Sequence, residues 1–110
     1  MANNANELAR VAAQDLAADF GDGLRSDVEA AIEAPEQNLG KPKSFGVIET
    51  ITIAYSVLQA ADLAWQLYQA GHNKIAIING LEDKLETPPD LSLDKRKTLI
   101  EAIVDKLFSM

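Results

Sequence analysis

The sequence predicts an α+β domain dominated by helices, and three observations lead to this class. Apolar side chains recur at helical spacing in three stretches, at about 5–20, 46–70 and 92–108. Two short segments, at about 27–33 and 74–79, alternate or cluster β-branched residues as strands do. A long helix joining two strands would make them parallel in a small sheet. The alternative is an all-α bundle of four or five helices.

The length and composition favour a single domain over residues 1–110, with 1–4 frayed and 35–44 forming a loop. Hydrophobic residues make up 47% of the chain, which is enough for a core. The chain has no cysteine, which excludes disulfides, thiolate catalysis and Cys-based zinc sites. The start, MANNANELAR, has neither the basic nor the apolar region of a signal peptide, and we expect a cytoplasmic protein.

The chain is acidic, with a formal charge of −7 that is unevenly spread. Residues 1–38 hold eight acidic and two basic side chains, whereas the charge is +1 over residues 39–80 and −2 over residues 81–110. An acidic chain repels phosphate backbones and anionic lipids, so we expect no nucleic-acid or membrane partner. The simplest role of this charge is solubility.

The most apolar stretch, FGVIETITIAYSVLQAADLAWQLYQAG, raises the question of a membrane span. Glu49 and Asp62 interrupt this stretch, and the uncharged run between them, residues 50–61, falls well short of the about 20 residues that a span needs. Polar side chains instead recur at steps of three and four and form one stripe, as in an amphipathic helix that ends at Gly71. The stripe comprises Glu49, Thr52, Ser56, Gln59, Asp62, Gln66 and Gln69.

The opposite face of this helix is apolar and wide. Its central row is Ile48, Ile51, Tyr55, Leu58, Ala61, Trp65 and Tyr68, with Val47, Ala54, Val57, Ala64 and Leu67 beside it. A helix that buries so much of its surface needs covering elements on two sides or a partner chain, which favours a homo-oligomer as one outcome. The aromatic residues are core side chains in the ordinary interpretation. As an interaction surface, the candidates are Tyr55, Leu58, Trp65 and Tyr68.

The segment SDVEAAIEAP fits two interpretations. As a strand, Val28, Ala30 and Ile32 alternate with polar or small residues; as a helix, Ser26 and Glu29 form a capping box. The helix before it, with Leu8, Val11, Ala12, Leu16 and Phe20 on its apolar face, ends at Gly21 and Gly23.

The segment after Gly71 is also ambiguous. Ile75, Ile77 and Ile78 favour a strand, and Asn79-Gly80 is a common hairpin turn. A helix with Ile75, Ile78, Leu81 and Leu85 on one face is the alternative. Pro88-Pro89 then breaks the chain, Ser92 caps the last helix, and Lys106 suits its C-terminal dipole. Its predicted buried face is Leu93, Ile100, Ile103, Val104, Leu107 and Phe108.

No residue pattern predicts catalysis, a metal site, a cofactor or a small-molecule substrate. His72 has no second histidine to complete a site, and the acidic group Asp15, Asp19 and Asp22 lacks the spacing of a calcium loop. The FGDGL segment lacks the Lys-Ser/Thr of a phosphate loop. Glu49 and Asp62 are about 20 Å apart along a helix, too far for a carboxylate pair.

The order of segments resembles the small effector-associated modules of bacterial conflict systems, which are non-catalytic companions of proteases and NTPases. The segments that carry this likeness are DLAADFGDGL, DVEAAIEAP, NLGKPKS, ETITIAYSVLQAADLAWQLY, KIAIING and DLSLDKRKTLIEAI, although LEDKLE departs from the second strand expected there. The resemblance implies an adaptor role and no site residues.

We therefore expect a non-enzymatic adaptor that binds a protein partner or itself through the central helix. The alternative is a small acidic inhibitor, for instance an immunity-type protein, that blocks a basic surface. A pocket for an apolar ligand beside the central helix is a third hypothesis.

Overall fold

The computed structural model describes residues 4–33, 50–87 and 91–109, and within these ranges every regular element is a helix. The elements are α1 (Asn4–Phe20), α2 (Gly23–Glu33), α3 (Thr50–Gln69), α4 (Lys74–Lys84) and α5 (Leu93–Ser109). The predicted α+β class is therefore wrong, and the all-α alternative with five helices fits. Of the residues predicted to be frayed, 1–4, Asn4 is the first residue of α1 and 1–3 lie outside the described residues. The predicted loop at 35–44, the predicted helix start at 46–49 and Pro88-Pro89 also lie outside them.

The segment predicted as a strand at 27–33 lies in the helix α2. This helix begins at Gly23, before the first apolar residue of the predicted strand, Val28. Gly21, at φ +104°, ends α1 and donates its N–H to the Ala17 carbonyl at 2.8 Å, after which α2 begins at Gly23. Leu24 then joins Val28 and Ala31 on one buried helical face. The expected capping box is also wrong, since Ser26 lies inside α2 and Glu29 binds Arg10.

The segment predicted as a strand and hairpin at 74–79 is the helix α4. The Asn73 side chain caps it by accepting the Ala76 N–H at 2.8 Å, and Ile77, Leu81 and Leu85 are buried at helical spacing. Ile75, which both interpretations used, is 71% exposed.

Gly80 serves close helix packing rather than a turn. A Cβ at this position would lie 2.8 Å from Leu67 Cδ1 of α3, well inside the ordinary carbon–carbon contact distance. The glycine therefore lets α3 and α4 approach each other, and it is helical in the structure.

The helices α3 and α5 run in the same direction, with α4 antiparallel to both. Lys74 at the start of α4 pairs with Asp105 near the end of α5, while Arg96 at the start of α5 donates to the Glu82 carbonyl near the end of α4. Gln59 of α3 accepts the Glu86 N–H just past α4. The ends of α3 and α5 therefore lie at one end of the molecule.

The central helix α3 contacts each of the other four helices. Its wide apolar face is thus covered from within the chain and does not require a partner chain. The fully buried core joins all five helices and contains, among others, Leu8, Leu16, Leu24, Val28, Ile53, Val57, Ile77, Leu81, Leu99, Ile100, Ile103 and Val104. No described helix is long and apolar enough to cross a membrane.

The buried face of α3 is rotated from the predicted one. Its middle is Ile53, Val57, Ala60 and Ala64, whereas Ser56 of the predicted polar stripe is only 4% exposed. Ser56 fits there because its hydroxyl donates to the Glu86 carbonyl at 3.3 Å. Within the predicted row, Ala61 is fully buried, whereas Tyr55, Leu58, Trp65 and Tyr68 lie at the edge of the buried face. Val47, Ile48, Glu49 and the Ile51 side chain lie outside the described residues.

Candidate protein interface

Three aromatic rings form a continuous surface where α3 and α5 end, and we call Trp65, Tyr68 and Phe108 the aromatic surface. The Trp65 and Tyr68 ring centroids are 5.6 Å apart with a tilted arrangement. The Tyr68 and Phe108 centroids are 5.5 Å apart, and the two rings meet edge to face at 88°. Tyr68 is 43% exposed and Phe108 is 44% exposed, so the rings hold each other in place while water still reaches them.

The local sequence explains why the rings are positioned here. Tyr68 lies in the last turn of α3, which ends in a Schellman motif with Gly71 at φ +92°. In this motif the Gly71 N–H donates to the Tyr68 carbonyl and the His72 N–H donates to the Leu67 carbonyl, both at 3.1 Å. The motif fixes the backbone beneath the Tyr68 ring.

Phe108 occupies the last turn of α5, where the sequence predicted a buried side chain. That prediction is wrong for Phe108, and it is also wrong for Leu93 at the other end of α5, which is 82% exposed. Leu107 and Phe108 are successive, so they point about 100° apart, and only Leu107 reaches the core. The burial of Ile100, Ile103, Val104 and Leu107 agrees with the prediction, whereas Leu99 is buried and was not part of the predicted face.

Exposed carboxylates precede the rings by one or two turns on the same helices. Asp105 lies one turn before Phe108 and pairs with Lys74, whose Nζ is 3.2 Å from Asp105 Oδ1. Glu101, two turns before Phe108, is exposed. Asp62 is exposed one turn before Trp65, and its Oδ2 accepts a hydrogen bond from Gln66 at 2.9 Å. We call Asp62, Glu101 and Asp105 the acidic rim.

Of the four predicted interface residues, Trp65 and Tyr68 are brought together, whereas Tyr55 and Leu58 are not part of the ring contacts. Leu58 is half-buried against the core. The Tyr55 hydroxyl is buried and has no hydrogen-bond partner within the described chain, and burial raises the pKa of Tyr55. Sequence reasoning missed Phe108 as the third ring because it was assigned to the core.

An open polar cleft of about 340 Å³ lies between α1 and α2. Its lining residues are Arg10, Gln14, Asp22, Arg25, Ser26 and Glu29. Glu29 and Glu7 both bind the Arg10 guanidinium, and these hydrogen bonds raise the pKa of Arg10. The cleft is thus lined by the polar side chains Gln14 and Ser26 and by charged side chains, of which Arg10 and Glu29 form an ion pair.

The other polar candidates have structural roles. Asp15 pairs with Lys106 at 3.0 Å, and the Asp19 carbonyl accepts a hydrogen bond from Lys95 at 2.7 Å. Both contacts join α1 to α5. His72 is exposed. Within the described residues, no three His, Cys, Asp or Glu side chains are close enough to hold a metal ion.

Comparisons with protein-family models, curated proteins and solved structures gave no match for this chain. The assignment of function therefore depends on the aromatic surface and its surroundings.

Proposed function

We propose that this chain is a non-enzymatic interaction module that binds a protein partner through the aromatic surface. The observation that carries the proposal is the contact of three rings from two helices, two of which stay more than two-fifths exposed. Trp and Tyr are the side chains most enriched among residues that dominate binding energy. Their positions here are fixed by neighbouring rings and by a capped helix end, so little ordering is needed on binding.

The exposed ring area sets the scale of this interaction. Aromatic side chains have about 150–250 Å² of surface, so 43–44% exposure leaves about 90 Å² each on Tyr68 and Phe108. Burying that area under a partner contributes about 2 kcal/mol per ring at roughly 25 cal/mol per Å². A surface of this size supports a transient complex rather than an obligate one.

The adaptor role implied by the resemblance to effector-associated modules agrees with this proposal. The likeness now depends on segment order alone, because the segments DVEAAIEAP and KIAIING lie largely in α2 and α4. A cytoplasmic location stays part of the proposal, and the lack of cysteine is compatible with it.

Site-specific photo-crosslinking in the native host tests the proposal. A benzophenone amino acid replaces Phe108 in one variant and Leu93 in the control variant, since both side chains are exposed on α5 but lie at opposite ends. We expect a defined crosslinked protein from position 108 only. A crosslink to a second copy would point to self-association through this surface. The same products from both positions, or none from position 108, would contradict the proposal.

The second candidate function is an acidic inhibitor that blocks a basic surface, and the exposed carboxylates of α1, α2 and the turn between them favour it. Asp15, Asp19, Asp22 and Glu33 are all exposed there. An inhibitor would crosslink from α1 or α2, for instance from position 18, and would abolish its partner's activity at equimolar amounts. An adaptor would leave that activity intact.

A further inference from the structure

We infer that the partner presents a cationic segment, in which Lys or Arg side chains flank an apolar anchor, to the aromatic surface. This inference depends on the proposed function and specifies the chemistry of its partner.

The first step is the charge around the rings. The acidic rim contributes three carboxylates, from Asp62, Glu101 and Asp105, on the same helical sides as Trp65 and Phe108. Among the described residues, Lys74 is paired with Asp105, and the exposed Lys97 lies one turn before Glu101 without forming an ion pair with it. The rim therefore keeps a negative charge that a cationic segment complements.

The second step is the chemistry of the ring faces. An ammonium or guanidinium group is attracted to the face of Trp, Tyr or Phe, and its aliphatic stem covers apolar surface at the same time. The chain itself contains such a contact, because Lys95 Nζ lies 5.0 Å from the centroid of the Phe20 ring. At the aromatic surface the rings and carboxylates are present together, but no cation of the described chain covers the rings.

The third step asks whether a second copy of this chain could be the partner that covers the aromatic surface. The exposed parts of Tyr68 and Phe108 together offer about 180 Å², far below the roughly 800 Å² per partner of a stable interface. Pairing two copies through this surface would also place two acidic rims against each other, in chains that each carry a charge of −7. The area argument counts against a stable homodimer, and the charge argument favours a cationic partner segment over a second copy.

Selection from an unbiased peptide library tests the inference. Random short peptides displayed on phage are selected on the wild-type chain after depletion on the Phe108→Ala variant, whose fold is first verified by circular dichroism. We expect the enriched peptides to carry a net positive charge beside an aromatic or aliphatic residue. Enriched peptides that are neutral or acidic would overturn the inference while leaving the proposed function intact. A library in which no peptide distinguishes the wild type from Phe108→Ala would count against both.

Affinities of the enriched peptides provide the charge test. Trp65 is the only tryptophan in the chain, so its emission reports binding of a peptide that lacks tryptophan. We expect Asp62→Asn and Glu101→Gln each to weaken binding roughly two- to five-fold, the range of exposed charge pairs. The control Asp83→Asn, an exposed carboxylate at the far end of α4, should leave the affinity unchanged.

Salt gives an independent readout. Between about 0.1 M and 1 M salt the Debye length falls from about 10 Å to 3 Å, so binding of a cationic peptide should weaken several-fold. Equal affinities for all three carboxylate variants, together with salt-independent binding, would overturn the inference.

Discussion

Gly80 offers a quantitative test of how α3 and α4 pack. In an exposed helix interior, Gly→Ala stabilises by about 1 kcal/mol. At Gly80 the new Cβ would lie 2.8 Å from Leu67 Cδ1, so the leucine must move by roughly 0.6 Å to restore ordinary contact. Displacing the free end of a half-buried side chain in this way costs about 1 kcal/mol. We therefore expect Gly80→Ala to change the free energy of unfolding by less than about 0.5 kcal/mol.

The contact is isolated by repeating the substitution in a Leu67→Ala background. There the Cβ has no methyl group to displace, and Gly80→Ala should stabilise by about 1 kcal/mol. Urea unfolding of the four proteins, followed by circular dichroism, gives a coupling energy of about 1 kcal/mol as the expected result. Equal stabilisation in both backgrounds would refute the close contact. Equal destabilisation in both would instead indicate a positive φ at Gly80, as the hairpin interpretation requires.

Three further substitutions test the local structure. Tyr55→Phe removes a buried hydroxyl that has no partner in the described chain, and it should raise the free energy of unfolding by about 1 kcal/mol in urea titrations. Because burial raises the pKa of Tyr55 in the folded state, the wild type should lose stability as the pH rises above 10, and Tyr55→Phe should lose less; parallel pH profiles would contradict this. Ser92→Ala removes the hydroxyl that accepts the Lys95 N–H at 3.2 Å, and thermal unfolding should show a loss of about 1 kcal/mol, with Ser109→Ala as the exposed-serine control. Gly71→Ala forces a Cβ onto φ +92° and should cost about 1 kcal/mol or more by urea unfolding; an unchanged midpoint would show that α3 does not end in the Schellman motif.

Several helix ends were predicted correctly because their signals are local, although the capping box at Ser26 was wrong and the Asn73 cap was missed. Ser92 caps α5 and Lys106 lies in its last turn, as expected. Gly71 ends α3, and Gly21 ends α1, both with the positive φ that glycine adopts without strain.

The two short segments were predicted wrongly because their patterns contain too few residues to define a period. By propensity, Ile75, Ile77 and Ile78 fit a strand. The helix α4 forms instead with Asn73 as its N-cap and with Gly80 packed closely against Leu67 of α3. The second of these contacts joins two helices, and sequence spacing alone carries no information about it.

The same limit applies to the candidate interface. Trp65 and Tyr68 follow each other by one helical turn, so their proximity could be predicted from α3 alone. Phe108 meets Tyr68 because α3 and α5 run in the same direction and end at one end of the molecule. The sequence analysis assigned Phe108 to the buried face of α5, and spacing within α5 carries no information about a contact with α3.

Chemical-shift mapping tests the central claim most directly. The isotope-labelled chain is titrated with the partner segment recovered by crosslinking or peptide selection, and its amide and aromatic resonances are followed. We expect the largest changes at Trp65, Tyr68 and Phe108 and in the acidic rim, with the α1–α2 cleft unaffected. Largest changes on α1 and α2, with the three rings unperturbed, would contradict the assignment of binding to the aromatic surface.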